Sequence, residues 1–257
     1  MGKLANKVAL VTGAGAGIGR AVALAMAAEG AVVGALDRDR DRAEATAAMA
    51  EGVIPLAADV ADSDQMRAAV DRIAAERDRL DIIVANAGIN GVWAPIEEIE
   101  PEEWERTMAV NLRGTFLTFK HAVPWLRRQG GAALVTSSVH GTRIFSAPGS
   151  TAYACTKAAQ LTFARKMAIE LARDRVRVNV ICPGYIATQI QESTERRHLD
   201  SIRAPVEYLE RPIPLTHGEV HQPQDIARVA VFLASDDAFP VTGSEVYADG
   251  ATSLLVG

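Results

Sequence analysis

Two residues four positions apart, Tyr153 and Lys157, have the chemistry of an acid–base pair. They begin a segment that runs to about Asp174 and repeats its apolar residues with a helical period. Residues four apart lie on one helical face, so we expect the phenol and the ammonium to point the same way. A neighbouring cation favours the phenolate and lowers the pKa of a tyrosine from its usual value of about 10. The pair predicts a proton donor and acceptor near neutral pH, although two exposed residues on a surface helix would show the same spacing.

The composition excludes several classes of protein. The chain has 257 residues, 49% of them hydrophobic, which suffices for one domain over residues 1–257. Lys and Arg total 27 against 32 Asp and Glu, and this net charge of −5 makes nucleic acid an unexpected partner. Neither a signal peptide nor a run of about 18 apolar residues is present, so we expect no membrane association and a cytoplasmic protein. Cys155 and Cys182 predict no disulfide framework and no metal site.

A glycine-rich turn follows the first apolar run of the chain. Residues 7–11 are mostly apolar, and apolar residues recur with a helical period from Ile18 to Ala25. The glycines between and beside them are Gly13, Gly15, Gly17 and Gly19. Such a turn lets backbone N–H groups approach a pyrophosphate, because no Cβ atoms hold the ligand away. The order strand, turn, helix therefore predicts a dinucleotide site, although the spacing is not the commoner G-x-G-x-x-G.

The second apolar run, at residues 31–36, ends at Asp37. An acidic residue at this distance from the glycine turn accepts hydrogen bonds from the adenosine ribose in dinucleotide-binding folds. Its carboxylate would repel a 2′-phosphate, so Asp37 favours NAD over NADP. Arg38 and Arg40 leave the alternative open, since a guanidinium nearby would accommodate that phosphate.

Strands and helices alternate along the rest of the chain. We predict buried strands at residues 53–58, 81–85, 132–137, 176–181 and 243–248. Helices are predicted between the strands, with a long one running from Pro101 toward Arg128 and the last one at residues 223–234. The alternation predicts an α/β fold, a single Rossmann-type domain in which a doubly wound parallel sheet lies between two layers of helices.

Sheets of this kind bind ligands at the carboxyl ends of their strands. The polar and glycine residues that end the predicted strands are Gly13, Asp37, Asp59, Asn86, Ser138 and Pro183. Residues 187–215 are polar, contain several prolines and are too long for an ordinary connection. We therefore expect them to form a substrate lid, with a disordered segment as the alternative.

Seven motifs carry a resemblance to a known family. In chain order they are Thr12-Gly-x3-Gly-x-Gly19, Asp59-Val60, Asn86-Ala-Gly88, Asn111, Ser138, Tyr153-x3-Lys157 and Pro183-Gly184. In this order and at these intervals they resemble the short-chain dehydrogenase/reductase family, over nearly the whole chain. The resemblance implies an enzyme that interconverts an alcohol and a ketone with a nicotinamide cofactor.

The resemblance also implies roles for individual residues. Tyr153 would exchange a proton with the substrate oxygen, and Ser138 would hydrogen-bond that oxygen. Lys157 would lower the pKa of Tyr153 and hold the nicotinamide ribose, and Asn111 would hold a water that links Lys157 to solvent. The residues expected to contact the cofactor are Gly13, Gly15, Gly17, Ile18, Gly19, Asp37, Asp59, Val60, Asn86, Ala87, Gly88, Tyr153, Lys157, Pro183, Gly184, Ile186 and Thr188.

The loop before Tyr153 departs from the family pattern. The interval from Ser138 to Tyr153 exceeds the family's by about two residues, so residues 142–150 are expected to bulge beside the substrate. Ser137 competes for the role of the catalytic serine, and Ser138 is preferred because Ser138-x-x-Gly141 matches the motif better. His140 would then reach the substrate together with Ser138 and Tyr153, although a loop histidine bonded to solvent or backbone is an equal alternative.

The lid suggests the class of substrate. Its charged residues, from Glu192 to Arg203, leave no long apolar run for a steroid or fatty-acyl chain. We therefore expect a polar secondary alcohol such as a sugar, a polyol or a hydroxy acid. A reductase of 3-oxoacyl thioesters is the alternative, and a catalytically silent dinucleotide-binding sensor or scaffold is the alternative from another class.

The resemblance further implies assembly into a homotetramer through the helices that bear Asn111 and Tyr153. The aromatic residues Trp104, Phe116 and Phe119 recur on the first of these helices. They would support such an interface, although the same stripe is equally expected of an ordinary core.

Overall fold

The computed structural model describes residues 2–202 and 213–255, and these form nine strands. The strands are β1 (Val8–Thr12), β2 (Val32–Asp37), β3 (Val53–Ala57), β4 (Ile82–Ala85), β5 (Gly91–Trp93), β6 (Gly131–Thr136), β7 (Val176–Pro183), β8 (Thr194–Arg196) and β9 (Glu245–Ala248). Seven of them make one parallel sheet in the order β3-β2-β1-β4-β6-β7-β9. This order confirms the predicted doubly wound, Rossmann-type α/β fold.

Helices cover both faces of this sheet. They are α1 (Gly17–Ala28), α2 (Arg40–Ala47), α3 (Ser63–Ala74), α4 (Pro101–Met108), α5 (Gly114–Leu126), α6 (Thr151–Leu171) and α7 (Pro223–Ala234). Side chains of α1 and α7 enter one buried apolar cluster, and those of α3, α5 and α6 enter the other. The two clusters are the cores above and below the sheet.

The residues of β1 show why both faces are buried. Val8 and Leu10 join one apolar cluster, while Ala9 and Val11 join the other. Successive residues of a strand point to opposite faces, so a central parallel strand needs apolar residues at every position. The continuous apolar runs of the sequence are therefore the signature of this sheet.

The strand order reverses direction at β1. From there β2 and β3 follow to one side, and β4, β6, β7 and β9 to the other. Connections on the two sides leave a crevice at the carboxyl ends of β1 and β4, where open α/β sheets bind their ligands. The glycine turn after β1 lies at this point.

The predicted helix from Pro101 toward Arg128 is interrupted in the middle. A π-helical turn, Ala109–Arg113, separates α4 from α5, and Asn111 lies within it. Single π turns inside helices are frequent at functional sites because the extra residue changes which groups face inward. No apolar periodicity in the sequence signals this turn.

The predicted lid is partly regular. Its described part has a 3-10 turn at Gln189–Ser193, then β8, and a second 3-10 turn at Leu199–Ser201. β8 pairs in parallel with β5, and together they make a second, two-stranded sheet that the sequence analysis does not predict. The rest of the predicted lid, including Arg203, lies at residues 203–212, outside the described residues.

No helix among the described residues combines the length and the apolar character that crossing a membrane requires.

A buried carboxylate joins the amino-terminal ends of β1 and β4. Asp81 is 2% exposed, and its Oδ2 accepts hydrogen bonds from the backbone N–H of Val8 and from Nε of Arg79, each at 2.8 Å. Arg79 also pairs with Oδ1 of Asp81. The carboxylate thus fixes the start of the two strands that flank the crevice.

We predict that Asp81→Asn lowers the free energy of unfolding by about 2 kcal/mol, because it weakens these charged hydrogen bonds in a buried place. The Arg79 side chain is 32% exposed, so screening keeps the loss at the lower end of the range for buried pairs. Thermal unfolding should show a melting temperature lower by roughly 4–8 °C.

Asp64→Asn is the matched control for this substitution. Asp64 pairs with Arg67 at 2.9 Å, but both side chains are mostly exposed, and the expected change stays within about 0.5 kcal/mol. Equal melting temperatures for the two variants would contradict the role given to Asp81.

Candidate active site

A cavity of about 470 Å³ opens at the carboxyl ends of the central strands. Its walls are built from the segments that follow β1, β2, β3, β4, β6 and β7, together with the beginning of α6 and the first part of the lid. The sheet topology therefore brings together residues far apart in sequence. Asp37 lines one end of the cavity and Tyr153 lines the other.

The glycine turn forms the floor between these ends. Gly13 has a φ of +65°, and a Cβ placed on it would lie 2.8 Å from the Cα of Ala87. Only glycine tolerates both the backbone conformation and this close approach. The residue before α1, Ala16, offers no capping side chain, so the first N–H groups of α1 remain for a ligand in the cavity that Gly17 lines.

Asp37 is held against this turn by backbone donors. Its Oδ2 accepts from the N–H of Gly15 at 2.9 Å, and its Oδ1 accepts from the N–H of Asp39 at 3.0 Å. Gly15 itself does not line the cavity, so its place in the structure is to orient Asp37. The arginines beside Asp37 that line the cavity are Arg38 and Arg42.

This arrangement differs from the one expected for the arginines. Arg40, expected to be near the ribose, is the exposed first residue of α2 and is not among the cavity residues. Arg42, two residues further along α2, takes that position instead. Its guanidinium also pairs with Asp39, with Nε 3.4 Å from Oδ2.

Asn86 fixes the end of β4 to the end of β1. Its backbone N–H donates to Oγ1 of Thr12 at 3.0 Å, and its side-chain Nδ2 donates to the carbonyl oxygen of Thr12 at 3.0 Å. The N–H of Ala87 also donates to that hydroxyl, at 3.1 Å. These bonds keep the two strands and their loops in place on either side of the crevice.

The acid–base residues meet at the other end of the cavity. The side chains of Tyr153 and Ser138 interact there, and both residues are more than nine-tenths buried. Nζ of Lys157 is 5.4 Å from the centre of the Tyr153 ring and donates to the carbonyl oxygen of Thr136 at 2.9 Å. The expected helical alignment of Tyr153 and Lys157 is present in α6.

Burial dominates the pKa values of this pair. It raises the pKa of the Tyr153 phenol, and the hydrogen bond from Ser138 opposes that shift. It lowers the pKa of the Lys157 ammonium to about 8. The expectation that Lys157 brings the Tyr153 pKa down is therefore not met in the protein alone, because two groups removed from water both lose their charged forms.

The two candidate serines have different surroundings. Oγ of Ser137 donates to the carbonyl oxygen of Lys157 at 2.8 Å, which ties β6 to α6. Oγ of Ser138 accepts from the N–H of His140 at 3.1 Å and contacts the Tyr153 hydroxyl. The geometry favours Ser138 as the serine that meets a substrate oxygen.

Asn111 lies behind the cavity rather than in it. Its Oδ1 accepts from the N–H of Ile89 at 2.8 Å, and its Nδ2 donates to the carbonyl oxygen of Ile89 and to Oγ1 of Thr156. Its backbone carbonyl accepts from Gln160 at 2.9 Å. The π turn thus points the amide at α6 and at the loop after β4, as a structural cross-link.

The position of Asn111 keeps it close to Lys157. A Cβ built on Gly88 would lie 3.3 Å from Oδ1 of Asn111 and 3.6 Å from Nζ of Lys157. Because Gly88 has no side chain, only its backbone lies between Oδ1 of Asn111 and Nζ of Lys157. The expected water between Asn111 and Lys157 stays a prediction.

Most of the residues expected at the site line this one cavity. They are Gly13, Gly17, Ile18, Gly19, Asp37, Asp59, Val60, Asn86, Ala87, Gly88, Ser138, His140, Tyr153, Lys157, Pro183, Gly184, Ile186 and Thr188. Gly15 and Asn111 lie outside its lining. Polar and aromatic residues of the lining that sequence reasoning missed include Arg42, Asn90, Trp93, Tyr185 and Ser193, most of which come from the unpredicted small sheet or its flanks.

The small sheet holds the first part of the lid over the cavity. Besides the pairing of β5 with β8, Nδ2 of Asn90 donates to Oγ1 of Thr194 at 2.7 Å. Arg197 pairs with Glu103 on α4 at 2.5 Å, and Nδ1 of His198 is 2.8 Å from Oε2 of Glu98. Arg197 and His198 of the predicted lid thus face α4 and its neighbouring turn.

The sequence matches a family model and known enzymes over nearly its whole length. A family model described as enoyl-(acyl carrier protein) reductase matches residues 13–252. The D-threitol dehydrogenase of Mycolicibacterium smegmatis is 36% identical over 256 residues, which are 98% of this chain and 95% of that protein.

Two solved structures are similar over the whole fold. A 3-ketoacyl-ACP reductase from Sinorhizobium meliloti 1021 is 50% identical, with a TM-score of 0.91, and the match covers 96% of this chain and 99% of that one. A 3-ketoacyl-(acyl-carrier-protein) reductase from Brucella melitensis, complexed with NADH, is 31% identical, with a TM-score of 0.86 and coverage of 97% and 99%.

Proposed function

The chain belongs to the short-chain dehydrogenase/reductase family, and from this premise we propose that it interconverts a polar secondary alcohol and its ketone with NAD(H). Membership makes it an oxidoreductase that acts on CH–OH groups. The observation that carries the proposal is that the hydroxyl-bearing side chains of Tyr153 and Ser138 interact in the cavity that the glycine turn lines. A non-catalytic scaffold would need neither group.

The residues present fit a nicotinamide dinucleotide. The uncapped start of α1 and the glycine turn suit a pyrophosphate, and Asp37 at one end suits a ribose with two hydroxyls. Lys157 and the segment Pro183–Gly184 line the other end, where the nicotinamide and its ribose would lie. When bound, the nicotinamide supplies or accepts the hydride.

The side chains of the protein handle the proton. In reduction, the neutral phenol of Tyr153 donates its proton to the carbonyl oxygen of the substrate. The raised pKa of the phenol keeps it protonated before this transfer. The hydroxyl of Ser138 hydrogen-bonds the same oxygen and stabilises the negative charge that develops on it. In oxidation the two residues act in reverse, and the ammonium of Lys157 stabilises the phenolate that must form.

The preference for NAD follows from the charge at the adenosine end. The Asp37 carboxylate is fixed by two backbone N–H groups, so it cannot turn away from a 2′-phosphate without losing both bonds. Arg42 is already paired with Asp39, which reduces its value as a phosphate partner. Arg38 is exposed at the cavity rim and is the residue that supports NADP as the alternative.

The substrate end favours small polar molecules. Ser138, His140 and Tyr153 line it, and the lid that covers it is fastened by Asn90 and by the small sheet. A sugar, a polyol or a hydroxy acid would find hydrogen-bond partners here. The similarity to two 3-ketoacyl-ACP reductases favours a 3-oxoacyl thioester as the second candidate.

Assembly into a homotetramer in the cytoplasm is part of this proposal. The aromatic residues expected at an interface divide into two groups: Phe119 is 2% exposed and packs edge-on against Phe163, while Phe116 is 46% exposed. With Ile169 on α6, 77% exposed, Phe116 gives α5 and α6 apolar surface that a second copy would cover.

The first experiment measures turnover with a substrate panel. We expect oxidation of polyols with NAD, and Tyr153→Phe should lower kcat/KM by roughly 10³-fold because it removes the proton donor. Tyr247→Phe is the matched control, since its hydroxyl bonds Glu245 away from the cavity. Undiminished turnover in Tyr153→Phe, or activity on an acetoacetyl thioester alone, would contradict the assignment of mechanism or of substrate, respectively.

The pH profile tests the role of Lys157. Its pKa of about 8 means that the ammonium is present below that pH and is lost above it. For ketone reduction we therefore expect kcat/KM to be level below pH 8 and to fall above it, while the phenol of Tyr153, with its raised pKa, stays protonated. Lys157→Arg should move the break to higher pH, because arginine stays charged. A level profile up to pH 10 would contradict this role.

Cofactor preference tests the role of Asp37. Asp37→Asn keeps an oxygen for the N–H of Gly15 but removes the negative charge. We expect the ratio of kcat/KM for NAD to that for NADP to fall at least about tenfold. Asp41→Asn, an exposed residue of α2 that does not line the cavity, is the control and should leave the ratio unchanged. Equal use of NAD and NADP by the unmodified enzyme would overturn the assignment.

A further inference from the structure

We propose that His140 determines the substrate class, by hydrogen-bonding a hydroxyl group on the carbon next to the reacting one, so that the enzyme acts on vicinal diols and α-hydroxyketones. The inference rests on the proposed function and narrows its substrate. The reaction stays the same: alcohol and NAD⁺ give ketone, NADH and a proton. His140 takes no part in the bond changes.

The backbone places His140 beside the reacting oxygen. Its N–H donates to Oγ of Ser138 at 3.1 Å, and that hydroxyl contacts the hydroxyl of Tyr153. Its side chain lines the same cavity. A substrate oxygen held by Ser138 and Tyr153 therefore has the imidazole as a near neighbour.

Two aromatic rings fix the orientation of the imidazole. The Trp93 ring is centred 6.5 Å away at a tilt of 55°, and the Tyr185 ring is centred 6.3 Å away, nearly perpendicular to the imidazole. Edge-to-face contacts at such distances are favourable and restrict rotation of the ring. A group that hydrogen-bonds substrate is most selective when it is held in place before binding.

One nitrogen of this imidazole has no hydrogen-bond partner within the described residues. Nδ1 is buried and has no partner. Two other polar side chains of the cavity bond elsewhere: Asn90 donates to Thr194, and Ser193 donates to the carbonyl oxygen of Ile190. An unsatisfied buried nitrogen costs free energy, which a ligand hydroxyl would recover.

Charge distribution favours a hydroxyl over a carboxylate as the group that His140 meets. Burial lowers the pKa of the His140 imidazole, which is then neutral at pH 7 and both donates and accepts. Apart from Lys157, the charged side chains among the described cavity residues line the adenosine end: Asp37, Arg38, Arg42 and Asp59. Among the described residues, a carboxylate at the substrate end would find no arginine or second lysine, whereas a hydroxyl needs none.

The test compares two alcohols that differ by one hydroxyl, 2,3-butanediol and 2-butanol, at saturating NAD. We expect the unmodified enzyme to prefer the diol at least about tenfold in kcat/KM, the effect of one well-placed hydrogen bond. His140→Phe keeps a ring between Trp93 and Tyr185 but has no nitrogen, and it should abolish this preference. His140→Gln, which restores a donor and an acceptor, should recover part of it.

Two controls keep the test independent of folding. His121→Phe removes a histidine whose partner is Ser63, outside the cavity, and should leave the preference as it is. The melting temperature of His140→Phe should be no lower than that of the unmodified protein, because the lost Nδ1 has no partner. If His140→Phe does not fold, His140→Leu, which also lacks a side-chain donor and acceptor, gives the same comparison.

The outcomes separate this inference from the proposed function. The role of His140 is overturned if the preference for the diol survives in His140→Phe. It is also overturned if the unmodified enzyme has equal kcat/KM for 2-butanol and for the diol. Faster oxidation of a hydroxy acid than of the diol overturns the hydroxyl class. In these three cases the oxidoreductase assignment stands, whereas no turnover of any alcohol, ketone or thioester would remove the proposed function itself.

Discussion

The architecture of the site depends on the hydrogen bond of one buried ammonium, that of Lys157. Lys157 is 3% exposed, and its Nζ is held by the carbonyl oxygen of Thr136, the last residue of β6. Ser137, next in the chain, bonds the backbone of Lys157 in return. These contacts fix α6 to the end of the sheet, and Ser138 and Tyr153 follow from that placement. Burial of the charge lowers the pKa of Lys157 to about 8.

The sequence alone predicted the sheet well, because strands buried on both faces leave continuous apolar runs. It also predicted most of the cavity lining, since the polar residues that end parallel strands gather at one edge. It failed where local patterns carry no signal. β5 and β8 have three residues each, too few for periodicity, and the pKa of Tyr153 depends on burial that spacing does not reveal. Arg40 and Arg42 differ only in their place along one short helix.

Charge divides the cavity into two functional halves. In the placement proposed for the cofactor, the adenosine half contains Asp37, Asp59 and two arginines, while the substrate half contains aromatic rings, hydroxyls and a neutral imidazole around Lys157. Hydride transfer would then take place between groups that are mostly desolvated, where hydrogen bonds to a developing charge are strongest. Of the charged side chains among the described cavity residues, Lys157 alone would lie near a neutral substrate.

The pairing of β5 with β8 has a consequence for how such an enzyme changes its substrate in evolution. The segment that we predict to be a lid is attached along Thr194–Arg196 by main-chain hydrogen bonds to Gly91–Trp93, and these bonds do not involve the side chains of either segment. Residues on the lid can therefore be exchanged while the closed position of the backbone is retained. Main-chain atoms hold the segment in place, whereas side-chain atoms would contact the substrate. Replacing single side chains can therefore change the substrate without changing the fold.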